Sequence, residues 1–139
     1  MKNKEVVNEE VALNELEVFI NKFVKKPVPI EELKDTYPDI LDAIMDGYLS
    51  FNADGIPVLK LKSPIKNVNG DVSISEINFR TRIKPTTLAD LAKGLNAQKE
   101  IFTLQLRMVA YIIDQPTVML DSFGRYDYDV LTQVATVFT

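Results

Sequence analysis

The spacing of apolar residues changes period twice along this chain of 139 residues, and that change decides its fold class. Residues 8–25 carry Leu13, Leu16, Ile20, Phe23 and Val24 at helical spacing. Glu9, Glu10, Glu15 and Glu17 occupy the first half of that stretch, and Lys22, Lys25 and Lys26 its last turns. This order of charge complements a helix dipole, and Pro27 and Pro29 then stop the helix. A short second helix is expected from Ile30 to Asp35. Tyr37 precedes Pro38 and so avoids helical angles, which separates a third helix running from Pro38 to Asp46. Ile40, Leu41, Ile44 and Met45 give that helix its apolar face, and Gly47 closes it.

From Tyr48 the period becomes two. Tyr48 to Phe51 and Pro57 to Lys62 flank Asn52-Ala53-Asp54-Gly55, a hairpin signal because Gly tolerates the left-handed backbone that a tight turn needs. Asn67-Val68-Asn69-Gly70-Asp71 forms a second turn into Val72 to Arg80. Val72, Ile74, Ile77 and Phe79 are expected to face the core, with a bulge at Ser75-Glu76 where the alternation breaks. Helical spacing then returns. Thr86 or Thr87 is expected to cap a short helix ended by Gly94, and a long helix is expected over 97–113, stopped by Pro116. After a turn at Val118 to Leu120, Asp127 is expected to cap a last helix with Val130, Leu131, Val134, Val137 and Phe138 on one face. The expected class is α+β. N-terminal helices cover 1–47, and in 48–139 a C-terminal helical bundle packs on a small antiparallel meander of three strands, the whole making one compact unit.

Composition narrows the chemistry. The chain has no Cys and no His, so thiolate, imidazole and disulfide chemistry are excluded. Its net charge of −4 gives no general attraction to nucleic acid or anionic membranes. The charge is nevertheless uneven. Residues 1–55 hold 6 basic and 12 acidic side chains, 56–99 hold 8 and 3, and 100–139 hold 2 and 5. Either the acidic helices and the basic hairpin satisfy each other within one fold, or a basic face awaits an acidic partner. No apolar run reaches the roughly 18 residues of a spanning helix. The start, MKNKEVVNEE, is charged where a signal peptide is apolar, so a cytoplasmic location is expected.

Candidate catalytic groups are weak. Ser63 has Lys60 and Lys62 nearby in sequence, but alternating strand lysines read as solvated. Asp121, Asp127 and Asp129 are spread over a turn and a helix start, a poor metal pattern, and the five glycines are too scattered for a phosphate loop. An enzyme, a cofactor and a metal are therefore not expected. A winged-helix DNA-binding regulator is an alternative, since helices precede a basic hairpin. Its recognition helix would carry Asp39, Asp42 and Asp46 and no base, which repels phosphate. The apolar surplus points to protein binding. The 97–113 helix shows Ile101, Leu104, Met108 and Ile112 on one side and Phe102, Leu106, Val109 and Ile113 on another. Such a helix is either buried at the centre of the domain or leaves one flank for a partner. The flank of Ile101, Leu104, Met108 and Ile112 is the candidate partner-binding site.

The order of parts from Pro57 to Phe138 resembles the tail assembly chaperones of long-tailed bacteriophages, the Mu-like family in particular. An extended strand with a proline (Leu59 to Ile65) leads through a Gly-containing turn to a strand ending in Phe79-Arg80-Thr81-Arg82-Ile83-Lys84-Pro85-Thr86. Thr87-Leu88-Ala89-Asp90-Leu91 matches the family's T-x-x-D-L helix start. Asp114-Gln115-Pro116 stands where the family has G-x-P, and Leu120-Asp121 and Asp127, Leu131, Val134 complete the series. The resemblance implies a non-structural assembly factor in the cytoplasm of the bacterial host. Its partners would be the tape measure protein, which it keeps soluble, and the tail tube protein, which it helps recruit. It also implies a frameshifted longer form of the same chain, with the end at Thr139 compatible with the shorter product, and possible homo-oligomers. A small structural tail or baseplate protein is the other viral reading.

Overall fold

A computed structural model describes residues 7–96 and 98–139. Its elements run α1 (Glu9–Phe23), α2 (Ile30–Thr36), α3 (Pro38–Met45), β1 (Leu49–Phe51), β2 (Pro57–Lys66), β3 (Val72–Asn78), α4 (Pro85–Leu91), α5 (Ile101–Ile112), a 3-10 turn (Thr117–Ser122) and α6 (Arg125–Phe138). The fold is α+β, with helices before and after one antiparallel sheet in the order β1-β2-β3.

Local chemistry explains most boundaries. Asn8 caps α1, its Oδ1 accepting from the Val11 N–H at 2.9 Å. The face with Ala12, Leu16, Phe19 and Ile20 is buried. Beyond Phe23 the Asn21 side chain accepts the Val28 N–H at 3.2 Å and steadies the proline-rich connector. Pro38 sits in the first turn of α3, and Gly47, with φ of 82°, ends the chain's path out of it. The two strand turns share one construction. In each, the leading Asn (52 or 67) accepts two backbone N–H groups on its side chain, from Asp54 and Ile56 or from Asn69 and Asp71. A glycine with positive φ follows three residues later, 77° at Gly55 and 85° at Gly70.

The sheet buries Leu49, Leu59, Leu61, Ile77 and Phe79 on one face. Two sequence-based expectations change here. The irregularity lies opposite Ser75, as expected, but the extra residues are on β2. Lys60 pairs with Glu76 and Ile65 with Ile74, so Leu61 to Pro64 bulge out of register. Val72 lies beyond that bulge and is 55% exposed instead of in the core. In the C-terminal half, α4 begins at Pro85 after Lys84, so neither Thr86 nor Thr87 is its cap. Residue 97, the expected start of the long helix, lies outside the described residues, and the helix proper begins at Ile101.

Asp127 is the clearest departure from expectation. Gly124 occupies the N-cap of α6, and Asp127 falls inside the first turn. Its fully buried carboxylate reaches across to the β2 bulge and accepts the N–H groups of Lys62 at 2.8 Å and Ser63 at 2.9 Å. The bulge frees those donors from the ladder, and the carboxylate takes the place of the missing strand partner.

One hydrophobic cluster joins the two expected segments, 1–47 and 48–139. It contains Leu16, Phe19, Ile20, Ile40 and Ile44 from the first, and Leu59, Ile77, Leu131, Val134 and Phe138 from the second. Asp39, at the start of α3, lies against α6, where its Oδ2 accepts from Gln133 Nε2 at 3.4 Å. Partial burial, then the charges of Asp129 and Asp42, hold its carboxyl above the ordinary aspartate value. A carboxyl raised on folding favours the fold below its unfolded pKa, and that contribution is lost as pH rises through the folded value. Asp39→Asn is therefore expected to gain stability relative to the parent as pH rises from about 3 to 6, by less than about 1 kcal/mol at this largely solvated site. Urea denaturation of both proteins across that range checks the slope.

Candidate protein-binding surface

Helix α5 is buried at one end only. Ala110 and Ile112 are in the core, and Ile113 follows them. The cause is a clamp built on Arg80, the residue after β3 and its overhang at Phe79. The Arg80 N–H donates to the Ile112 carbonyl at 2.7 Å, and its guanidinium donates to the Tyr111 carbonyl at 3.0 Å and to Asp114 at 2.8 Å. The same guanidinium stacks 4.1 Å from the centre of the Tyr111 ring. Asp114 takes a left-handed φ of 57°, which turns the chain away from the helix. Arg107 does a similar job for α4, donating to the Leu91 and Lys93 carbonyls at 2.8 and 3.0 Å. These arginines line a cleft of about 540 Å³ with Asp90 and Asp114, and the bonds they make there close helix ends.

The N-terminal half of α5 projects from this anchor. Ile101 is 50% exposed and Phe102 66% exposed. Leu104 and Met108 are half-buried, whereas Ile112 is 0% exposed. Ile112 is thus removed from the candidate flank: the Arg80 clamp carries that end of the helix into the core. Phe102 and Leu106, assigned from sequence to the opposite flank, are instead the centre of the open surface. With Val118, Leu120 and Tyr128 they line an apolar cleft of about 420 Å³ between α5, the 3-10 turn and α6. A second cleft of about 300 Å³ continues from it along α5 and α6, lined by Met108, Val109, Thr132 and Thr136 among others. Val118, 71% exposed, forms the rim. Met108 and the Phe102 row therefore border one continuous trough, and Ile101 and Leu104 lie on its outer shoulder.

The walls of this trough carry little charge; among the described residues that line it, Asp121 has the only side-chain carboxylate and none has a basic side chain. Among the described residues no group of three carboxylates is placed to hold a metal. Asp127 serves the bulge, and Asp129 pairs with Arg125 at 3.6 Å. Ser63 gives its backbone N–H to Asp127, and Lys62 lies with its Nζ 4.7 Å from the centre of the Tyr126 ring. Tyr126 in turn donates its hydroxyl to Asp46 at 2.8 Å, and burial together with that bond pushes the phenol far above its ordinary value. Helix α3 buries Ile40, Leu41, Ala43 and Ile44 and leaves Asp42 exposed, while Asp39 and Asp46 are half-buried and bonded to Gln133 and Tyr126 of α6. Among the described residues no helix is long and apolar enough to cross a membrane.

No protein-family model, curated protein or solved structure matches this chain.

Proposed function

We infer that this chain is a tail assembly chaperone of the Mu-like, long-tailed bacteriophage type, working in the cytoplasm of the host bacterium. The observation that carries the reading is the exposed trough of Phe102, Leu106, Met108 and Val118 at the projecting end of α5. Its shape and lack of charge suit the apolar stripe of an amphipathic helix. A tape measure protein is long and helical, and before assembly its stripes lie open to water. Small reversible contacts with many chaperone copies cover them. Met108 adapts to stripes of differing shape because its thioether side chain is flexible and polarisable.

Release follows from area. A contact confined to this trough is expected to bury less surface than a stable protein interface of about 1,600 Å². Tube subunits that bury more of the tape measure displace the chaperone by mass action. The order of motifs from Leu59 to Val134 supports the same reading independently of the trough.

Co-expression with the tape measure protein of the same viral element tests it. Wild-type chain is expected to co-purify with the tape measure and keep it in the soluble fraction. Phe102→Asp, at an exposed position, is expected to reduce the yield of the complex at least about tenfold, an effect of 1.4 kcal/mol, with an unchanged circular dichroism spectrum. Met108→Asp should act in the same direction. Retained complex in both variants contradicts the site, and finding the wild-type chain in purified virions favours a structural tail or baseplate protein.

A further inference from the structure

The two strand turns are built alike but sit in different surroundings. Their sequences are Asn52-Ala53-Asp54-Gly55 and Asn67-Val68-Asn69-Gly70. In both, the glycine N–H donates to the carbonyl of the leading asparagine, at 2.9 Å for Gly55 and 3.0 Å for Gly70. The first turn is clasped by α1. The Lys22 ammonium donates to the Asp54 carbonyl, and a side-chain carbon placed on Gly55 would lie 3.0 Å from Lys22 Nζ. The second turn has no such clasp among the described residues: a carbon placed on Gly70 would meet nothing within 4 Å. Every residue from Lys66 to Ser73 is exposed, Val68 completely. The ladder leading to this tip is already broken, with register shifts between Lys60 and Ile65 and between Ile65 and Lys66. Opening the second turn therefore costs little, whereas opening the first also breaks the Lys22 contact.

Asn69 is the chain's one asparagine followed by glycine. We propose that it is a site of spontaneous deamidation, with water as the co-reactant. In the opened turn the Gly70 nitrogen gives its proton to hydroxide and attacks Cγ of the Asn69 side chain. A new C–N bond forms, the side-chain amide C–N bond breaks, and ammonia leaves with a proton from solvent. The product is a cyclic imide. Glycine permits the attack because no Cβ crowds its nitrogen. Water then opens the ring at either carbonyl. Opening at Cγ leaves an aspartate. Opening at the main-chain carbonyl leaves an isoaspartate, whose main chain runs through the side chain and is one carbon longer. The first turn shows that an aspartate fits, because Asp54 holds the matching place with the same backbone bonds. The isoaspartate does not fit: its extra carbon falls between the Asn69 and Asp71 N–H groups that Asn67 Oδ1 accepts together. No residue of this turn lines the trough of α5, so the proposal stands or falls separately from the tape measure reading.

Peptide mapping by mass spectrometry of the full chain, incubated in mildly alkaline buffer, tests it. Acid is expected to appear at Asn69 at least about tenfold faster than at any other asparagine, part of it as isoaspartate. Asp54→Asn then places an asparagine before the glycine of both turns in one molecule. Asn69 is expected to convert at least about tenfold faster than the amide introduced at 54 while the chain is folded. In denaturant, where Lys22 no longer clasps the first turn, the two rates are expected to converge. An Asn69 that stays intact, or folded-state rates that are equal at the two turns, overturns the proposal. Where the variant does not fold, the wild-type map decides the matter alone.

Discussion

Asp127→Ala is expected to lower the free energy of unfolding by about 3–5 kcal/mol, the largest loss from any single truncation outside the apolar core. The carboxylate is fully buried and serves two backbone donors at once, at 2.8 and 2.9 Å. Removing it leaves the Lys62 and Ser63 amides without an acceptor in a place that the strand ladder cannot serve. Each orphaned donor costs about 1–3 kcal/mol. Asn at the same position keeps one acceptor but turns an NH₂ toward the other donor, so Asp127→Asn is expected to lose more than half as much. A domain of this size has only about 5–15 kcal/mol to lose. Urea denaturation monitored by circular dichroism gives the number, with Asp121→Ala at an exposed carboxylate as the control expected within about 0.5 kcal/mol of the parent. A loss below about 1 kcal/mol for Asp127→Ala means that solvent reaches the bulge.

Phe19→Ala is expected to cost about 3–5 kcal/mol by a different route. The Phe19 ring is 2% exposed and meets Phe23, Phe51 and Phe138 at centroid distances of 5.6, 5.1 and 5.8 Å. Phe23 and Phe138 close the group edge to face at 5.0 Å. These four rings tie α1 to β1 and α6, so the cavity left by truncation opens between the N-terminal helices and the rest of the chain. Because the cluster spans both segments, unfolding is expected as one transition in the parent and in the variant. Separate transitions for residues 1–47 and 48–139 contradict a shared core.

Local signals made much of this fold legible in the sequence. The α1 stripe, the Tyr37-Pro38 break and the Gly55 and Gly70 turns all rest on interactions within a few residues, and each appears near its expected place. The asparagines that organise the turns sit in the same motifs, three residues before the glycines. What was hidden depends on distance along the chain. Asp127 has the composition and position of a helix cap, and only its partner 65 residues away assigns it to the bulge. Ile112 and Phe102 belong to equally apolar stripes of one helix. Periodicity separates the stripes but does not tell which end of the helix is anchored; the Arg80 clamp decides that. Val72 follows the alternation of its own strand, and the displaced register of β2 exposes it.

On the proposed function, the apolar trough of α5 shelters another polypeptide temporarily. Light scattering of a purified tape measure protein diluted from denaturant tests this most directly. Added wild-type chain is expected to suppress aggregation in proportion to its concentration, and Phe102→Asp at equal concentration is expected to lose most of that protection. Aggregation that proceeds equally with the wild type, the variant or neither would contradict the claim.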